Sequence, residues 1–205
     1  MITRIALAIS SLALLAAAPP NSSPRGVVPA QRAQAGQTDL VHIALETEKG
    51  RILVALDRGR APLSTANFLR YVEAKRFDGI TFYRAMPYGA GNGLIQAGIL
   101  RDARLLFPAV AHEPASKTGL KHEAGTILLA NAGPGTAKSD FFITLGPIPF
   151  GDDFAPFGKV VEGMDVVKAV FASPTDPERG VGPMKGQMLS PAISIRTARV
   201  VTPDP

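Results

Sequence analysis

The chain has 205 residues, 46% apolar and 19% charged, with 20 glycines, 18 prolines, ten phenylalanines, three tyrosines and neither tryptophan nor cysteine. This excludes disordered, coiled-coil and collagen-like chains, disulfides, thiolate metal sites and thiol catalysis, and favours one globular domain of short elements and many turns. The net charge of +5 is no nucleic-acid footprint, because Arg4, Arg25 and Arg32 lie in an acid-free stretch before Asp39, and from Asp39 onward 19 basic residues are interspersed with 17 acidic ones.

Met1 to Arg4 make a short positive start, followed by a predominantly apolar run of 14 residues that ends in Ala16-Ala17-Ala18 before Pro19-Pro20. This is the layout of a secretory signal peptide over residues 1–18, shorter than the roughly 20 apolar residues of a membrane span. The expectation is an exported protein, periplasmic or secreted, with no stable membrane insertion once the signal is removed and a membrane tether only if it is kept. Ala33-Gln34-Ala35 before Gly36 is a second small-x-small cleavage site. Residues 19–38, rich in Pro, Ser, Gln, Ala and Gly without apolar periodicity, read as a flexible linker or tail. The domain is expected over residues 39–205.

Val41, Ile43 and Leu45 alternate with His42, Ala44 and Glu46; Lys49-Gly50 supplies a turn, and Ile52, Val54 and Leu56 resume the alternation, which predicts a hairpin. Pro62 suits a first helical turn, and Leu63, Ala66, Leu69 and Val72 with Phe68 and Tyr71 make an apolar stripe that ends before Gly79. Short strands are expected over 80–86, 94–96, 126–130, 141–145, 157–160 and 193–201, with a second short helix over 164–171. Many short strands with two helices and no regular alternation between them favour a closed or sandwiched antiparallel sheet over a parallel one.

Three strings imitate known motifs and fail. Gly133-Pro134-Gly135-Thr136-Ala137-Lys138-Ser139 lacks the glycines of a phosphate loop and precedes a strand rather than a helix. Gly89, Gly91 and Gly93 have the wrong spacing for a dinucleotide fingerprint and read as a loop. His42, His112 and His122 do not pair at metal-ligand spacing, and no Gly-x-Ser-x-Gly elbow is present.

The informative segments are Ile80-Thr81-Phe82-Tyr83-Arg84-Ala85-Met86-Pro87, Leu94-Ile95-Gln96-Ala97-Gly98, Gly125-Thr126-Ile127-Leu128-Leu129-Ala130-Asn131-Ala132-Gly133-Pro134, Ser139-Asp140-Phe141-Phe142-Ile143-Thr144 and the stretch from Phe157 to Val167. In this order and spacing the chain resembles the cyclophilins, peptidyl-prolyl cis-trans isomerases, from about Ile43 to Val201. The resemblance implies a mainly β fold, a closed eight-stranded antiparallel barrel capped by two α-helices, with substrate bound on its outer face. It also implies proline-containing unfolded or extended polypeptides as partners, and a monomer that needs no metal or cofactor.

Rotating an X-Pro bond breaks no bond but must overcome an amide barrier of about 18 to 20 kcal/mol. A fixed cation that draws density from the prolyl nitrogen weakens that resonance, and arginine suits the task with its permanent charge and rigid donors. By resemblance that cation is Arg84, although read alone it is an ordinary strand arginine in an ion pair. By the same resemblance Phe82, Leu94, Phe142 and Phe150 line the substrate pocket, while Gln96, Ala130 and the backbone at Asn131 hold the peptide.

The departures from the family pattern are specific. Tyr83 replaces a common histidine, the glycine-rich link 88–93 is longer and makes a looser wall, and Phe154 or Ala155 stands for a usual histidine. Asp140 stands where glutamine is usual. A carboxylate there can pair with Arg84 and cancel part of its field, so the expectation is that Asp140→Gln raises activity. The alternative function is a catalytically weak peptide-binding chaperone or scaffold that kept the barrel, with a non-catalytic domain tethered by its tail as a third reading.

Overall fold

The computed structural model describes residues 39–100 and 102–202. The expected signal peptide and linker lie outside them. A hairpin opens the domain, β1 (Leu40–Thr47) pairing with β2 (Gly50–Asp57) from Leu40↔Asp57 to Thr47↔Gly50. Its turn is closed by the Thr47 hydroxyl, which donates to the Gly50 carbonyl at 2.6 Å and accepts from the Lys49 N–H at 3.1 Å.

Helix α1 (Pro62–Glu73) begins at the predicted proline but has no local side-chain cap. Its orphan amides are instead met from 49 and 50 residues away in sequence, where the buried Glu113 carboxylate accepts from Ser64 N–H at 2.6 Å and Leu63 N–H at 3.2 Å. Strands β3 (Thr81–Pro87) and β4 (Gly93–Gly98) follow, then α2 (Ala115–Thr118), β5 (Thr126–Leu129), β6 (Phe141–Thr144), β7 (Ala155–Glu162), α3 (Met164–Phe171), β8 (Thr175–Asp176) and β9 (Met188–Val201). Gly163 starts α3 in a left-handed conformation, φ +84°, where a Cβ would lie 2.3 Å from the Arg51 carbonyl oxygen. Only glycine fits there without displacing β2.

The strands run in the order β1-β2-β7-β5-β6-β4-β3-β9-β8, all antiparallel, and β1 also pairs with β9. Eight strands therefore close a barrel, and the two-residue β8 is appended to β9. The expected mainly β barrel stands, with one correction: three α-helices are present among the described residues rather than two. The single turn of α2 after Pro114 has no periodic stripe by which a sequence reading could find it.

The barrel interior is filled. Phe68 of α1 sits 4.9 Å from Phe77, 5.1 Å from Phe141 and 5.5 Å from Phe157, ring centre to ring centre, with Ile43, Leu45, Ile95, Ile127 and Ile143 fully buried around them. A plugged barrel leaves its outer face for a ligand. Among the described residues no helix is long and apolar enough to cross a membrane.

Candidate active site

Register places the site. Arg84 on β3 lies opposite Gln96 on β4, Gln96 opposite Phe142 on β6, and Phe142 opposite Leu128 on β5. Directly opposed residues on neighbouring strands share a face, so these four form one row across the outside of the barrel. Met86 and Leu94 pair in the adjacent row. The alternate residues Ala85, Ile95, Ala97, Ile127, Phe141 and Ile143 fill the interior.

The orientation of Arg84 depends on a bulge. Strict alternation would put Phe82 and Arg84 on the same face. The pairing instead skips from Phe82↔Ala97 to Arg84↔Gln96, so Tyr83 is an extra residue on β3. Phe82 therefore points inward, fully buried and 6.2 Å from the Phe141 ring, whereas Arg84 and Met86 point outward. This corrects the expectation that Phe82 lines the substrate pocket. Bulges beside sites commonly re-aim a side chain in this way.

The half-buried Arg84 donates from Nε to Gln187 Oε1 and from Nη1 to Gln96 Oε1, each at 2.9 Å. Both acceptors are neutral amides, and among the described residues no carboxylate pairs with it. Burial pulls its pKa below the ordinary arginine value, with Tyr83 acting the other way; the guanidinium stays charged at neutral pH.

Asp140 does not meet the expectation of an Arg84 partner. Its carboxylate accepts from the Tyr83 hydroxyl at 2.7 Å and from the Ser139 hydroxyl at 3.1 Å. Burial raises its pKa against the lowering effect of those two donors, and burial followed by the Asp140 charge raises that of Tyr83. Asp140, which stands at a position the family resemblance also counts among the substrate-binding residues, is thus committed to Tyr83 and Ser139 rather than to a peptide.

Beyond Gln96 the outer face turns apolar. Leu94, Leu128, Phe142 and Ile148 form a buried cluster, with Met86, Ala130, Phe150 and Phe154 packed against it. Three rings meet edge to face: Phe142–Phe150 at 5.5 Å, Phe142–Phe154 at 5.1 Å and Phe150–Phe154 at 4.9 Å. Ala130 is half-buried and donates its N–H to the Asp140 carbonyl at 2.9 Å. The Asn131 side chain is spent inside its loop, donating to the Asp153 carbonyl and accepting from Gly133 N–H, both at 2.9 Å, which leaves only its backbone for a peptide.

The glycine-rich link is pinned where a looser wall was expected. Tyr88 N–H donates to the Asn92 carbonyl at 2.9 Å, and Asn92 Nδ2 donates to the Pro147 carbonyl at 2.8 Å. Sequence reasoning missed Met86, Leu128, Ile148 and Gln187. Period-two counting from Arg84 and Ala130 finds the first two; Ile148 and Gln187 lie in loops with no local pattern.

An arginine held by two amides beside an apolar, aromatic face can present a cation to a prolyl nitrogen while the ring rests on that face. The family model for cyclophilin-type peptidyl-prolyl cis-trans isomerases matches residues 42–199. The chain belongs to that family. Among the relatives of this cyclophilin, the peptidyl-prolyl cis-trans isomerase ppi1 of Schizosaccharomyces pombe is 34% identical over 152 residues, covering 71% of this chain and 96% of the relative. Peptidyl-prolyl cis-trans isomerase A of Dickeya dadantii is 31% identical over 174 residues, covering 80% and 86%.

The crystal structure of a cyclophilin-type isomerase from Cryptosporidium parvum superposes with a TM-score of 0.65 at 20% identity, covering 80% of this cyclophilin and 99% of that chain. A second structure of that protein, obtained in the presence of the dipeptide Ala-Pro, gives 0.62 at the same identity. This cyclophilin is an enzyme of the isomerase class that these relatives share.

Proposed function

We propose that this cyclophilin accelerates cis-trans isomerisation of X-Pro bonds in unfolded or extended polypeptides outside the cytoplasm, as a monomer that assists the folding of envelope proteins, with Arg84 as its catalytic residue. The observation that supports this most is the Arg84 guanidinium, aimed by neutral amide oxygens at an outer face lined with apolar side chains. Its charge is available to a prolyl nitrogen because no carboxylate among the described residues pairs with it.

The rings of Phe142, Phe150 and Phe154 with Leu94 and Met86 suit the proline ring, and Gln96 with the Asn131 backbone suits the flanking peptide. Uncatalysed rotation relaxes in roughly 10 to 100 s. Withdrawing density from the nitrogen as it pyramidalises weakens the amide resonance and stabilises the twisted state more than either planar isomer, which is what a rate gain requires. The alternative of a catalytically weak scaffold draws on Asp140 together with the altered loops, and the Asp140–Tyr83 bond removes the first of these supports.

Export is proposed from residues 1–18. The test is twofold. Residues 39–205 are expected to speed the refolding of a protein whose slow phase is prolyl isomerisation, and the full chain is expected in a periplasmic or culture-fluid fraction only when residues 1–18 are present. No acceleration together with retained binding of an X-Pro peptide would support the scaffold; an unchanged fraction on deleting residues 1–18 would overturn export.

A further inference from the structure

Gln187 lies 103 residues beyond Arg84 in sequence, in the loop before β9, and nothing in its local sequence marks it. It is nonetheless held on both sides. Its backbone carbonyl accepts from Ala85 N–H at 2.9 Å, and its own N–H donates to the Met184 carbonyl at 3.1 Å. Its side-chain Nε2 donates to the Pro183 carbonyl at 2.8 Å, which fixes the amide with Oε1 turned toward Arg84 Nε.

The guanidinium fork then has one edge on Gln187 and one terminal nitrogen on Gln96, while Nη2 has no hydrogen-bond partner among the described residues. We propose that Gln187 is a positioning residue for the isomerase reaction: through Nε it fixes the roll of the guanidinium, so that Nη2 and the remaining Nη1 hydrogen face the peptide. Gln96 alone would leave the long arginine free to rotate about its terminal torsions, and a cation misplaced by about 1 Å loses much of its catalytic effect. A carboxylate at position 187 would fix the fork equally well but cancel charge; an amide fixes it and leaves the charge intact.

This inference rests on Arg84 being the catalytic cation, so its test includes a readout that does not depend on activity. In Gln187→Leu the acceptor is lost at similar volume. The expected result is a kcat lower by about tenfold, the order expected for one lost bond to a charged group. X-Pro peptide Kd stays within about twofold because the apolar face is untouched. In a 15N-arginine NMR spectrum, the Arg84 Nε–H resonance of the parent, assigned by its loss in Arg84→Ala, shifts or broadens through solvent exchange.

Gln187→Glu keeps an oxygen for Nε, and is expected to keep that resonance protected while kcat remains below the parent. Gln187→Leu with unchanged kcat and an unchanged Nε–H resonance would overturn the proposal, as would a kcat loss matched by a Kd loss with the resonance unmoved. If Arg84→Ala is fully active, the catalytic reading fails while the NMR arm still reports whether Gln187 holds the arginine.

Discussion

The Tyr83 hydroxyl donates to the Asp140 carboxylate at 2.7 Å across the strand that separates them. Gly98 on the intervening β4 makes the approach possible, since a Cβ there would lie 2.5 Å from Asp140 Cγ. Tyr83 is the bulged residue of β3, so this bond anchors the irregularity that turns Arg84 outward. Tyr83→Phe leaves a buried carboxylate with Ser139 as its remaining donor, and is expected to destabilise the domain by about 1 to 3 kcal/mol, seen as a lower Tm. Asp140→Asn keeps an acceptor for Tyr83. Its kcat/KM is expected to stay within about threefold of the parent, since no Arg84 ion pair is released; a large rise would mean that the carboxylate does act on the arginine.

Asp140 and Asp78 give opposite pH signatures. Burial raises the Asp140 pKa above its ordinary 3.8, so its contribution to stability is full below that value and is lost as pH rises through the raised native value. The Tm of Asp140→Asn should therefore gain on the parent as pH climbs from about 3 to about 7. Asp78 is the reverse: the hydrogen bond from Arg199, at 2.7 Å to Oδ2, lowers its pKa, and its contribution is present above 3.8 and lost on acidification. Asp78→Asn should lower Tm at neutral pH and converge with the parent in strong acid. Thermal melts across pH check both, and a parallel offset at all pH values would contradict them.

The proposed aromatic face would contact a proline ring equally in the planar isomers and the twisted state, so its loss should appear in KM more than in kcat. Phe154 is the ring to test, since it is half-buried and touches both Phe142 and Phe150. Phe154→Ala is expected to raise KM by about tenfold, with kcat changed less. Phe142→Ala is a poorer probe, because Phe142 is buried within the cluster and a large-to-small change there removes about 3 to 5 kcal/mol of stability. Steady-state kinetics at two substrate concentrations either side of KM separate the terms.

Much of the barrel was legible because its signals are local. The 41–56 hairpin, the stripe of α1 from Pro62 and the 164–171 helix all follow from period two or period 3.6. Phe82, assigned to the pocket by resemblance alone, instead points inward, and the extra residue at Tyr83 that separates its face from that of Arg84 is visible only in the pairing with β4. Asp140 was given the wrong partner for a related reason: Tyr83 and Arg84 are neighbours in sequence, but only the tyrosine turns toward it. Gln187 reaches Arg84 through tertiary structure alone. Glu113, which caps α1 from 50 residues away, was hidden in the same way.

The central claim is that the Arg84 charge, and not the aromatic face alone, lowers the rotational barrier. The direct measurement is protease-free exchange of a short X-Pro peptide, followed by NMR line shape or magnetisation transfer, with residues 39–205, Arg84→Ala and Arg84→Lys. The parent is expected to accelerate exchange, Arg84→Ala to lose at least about a hundredfold in kcat/KM while still binding the peptide, and Arg84→Lys to recover only part, because a point charge cannot use both Gln96 and Gln187 as the fork does. An Arg84→Ala variant as fast as the parent would contradict the account.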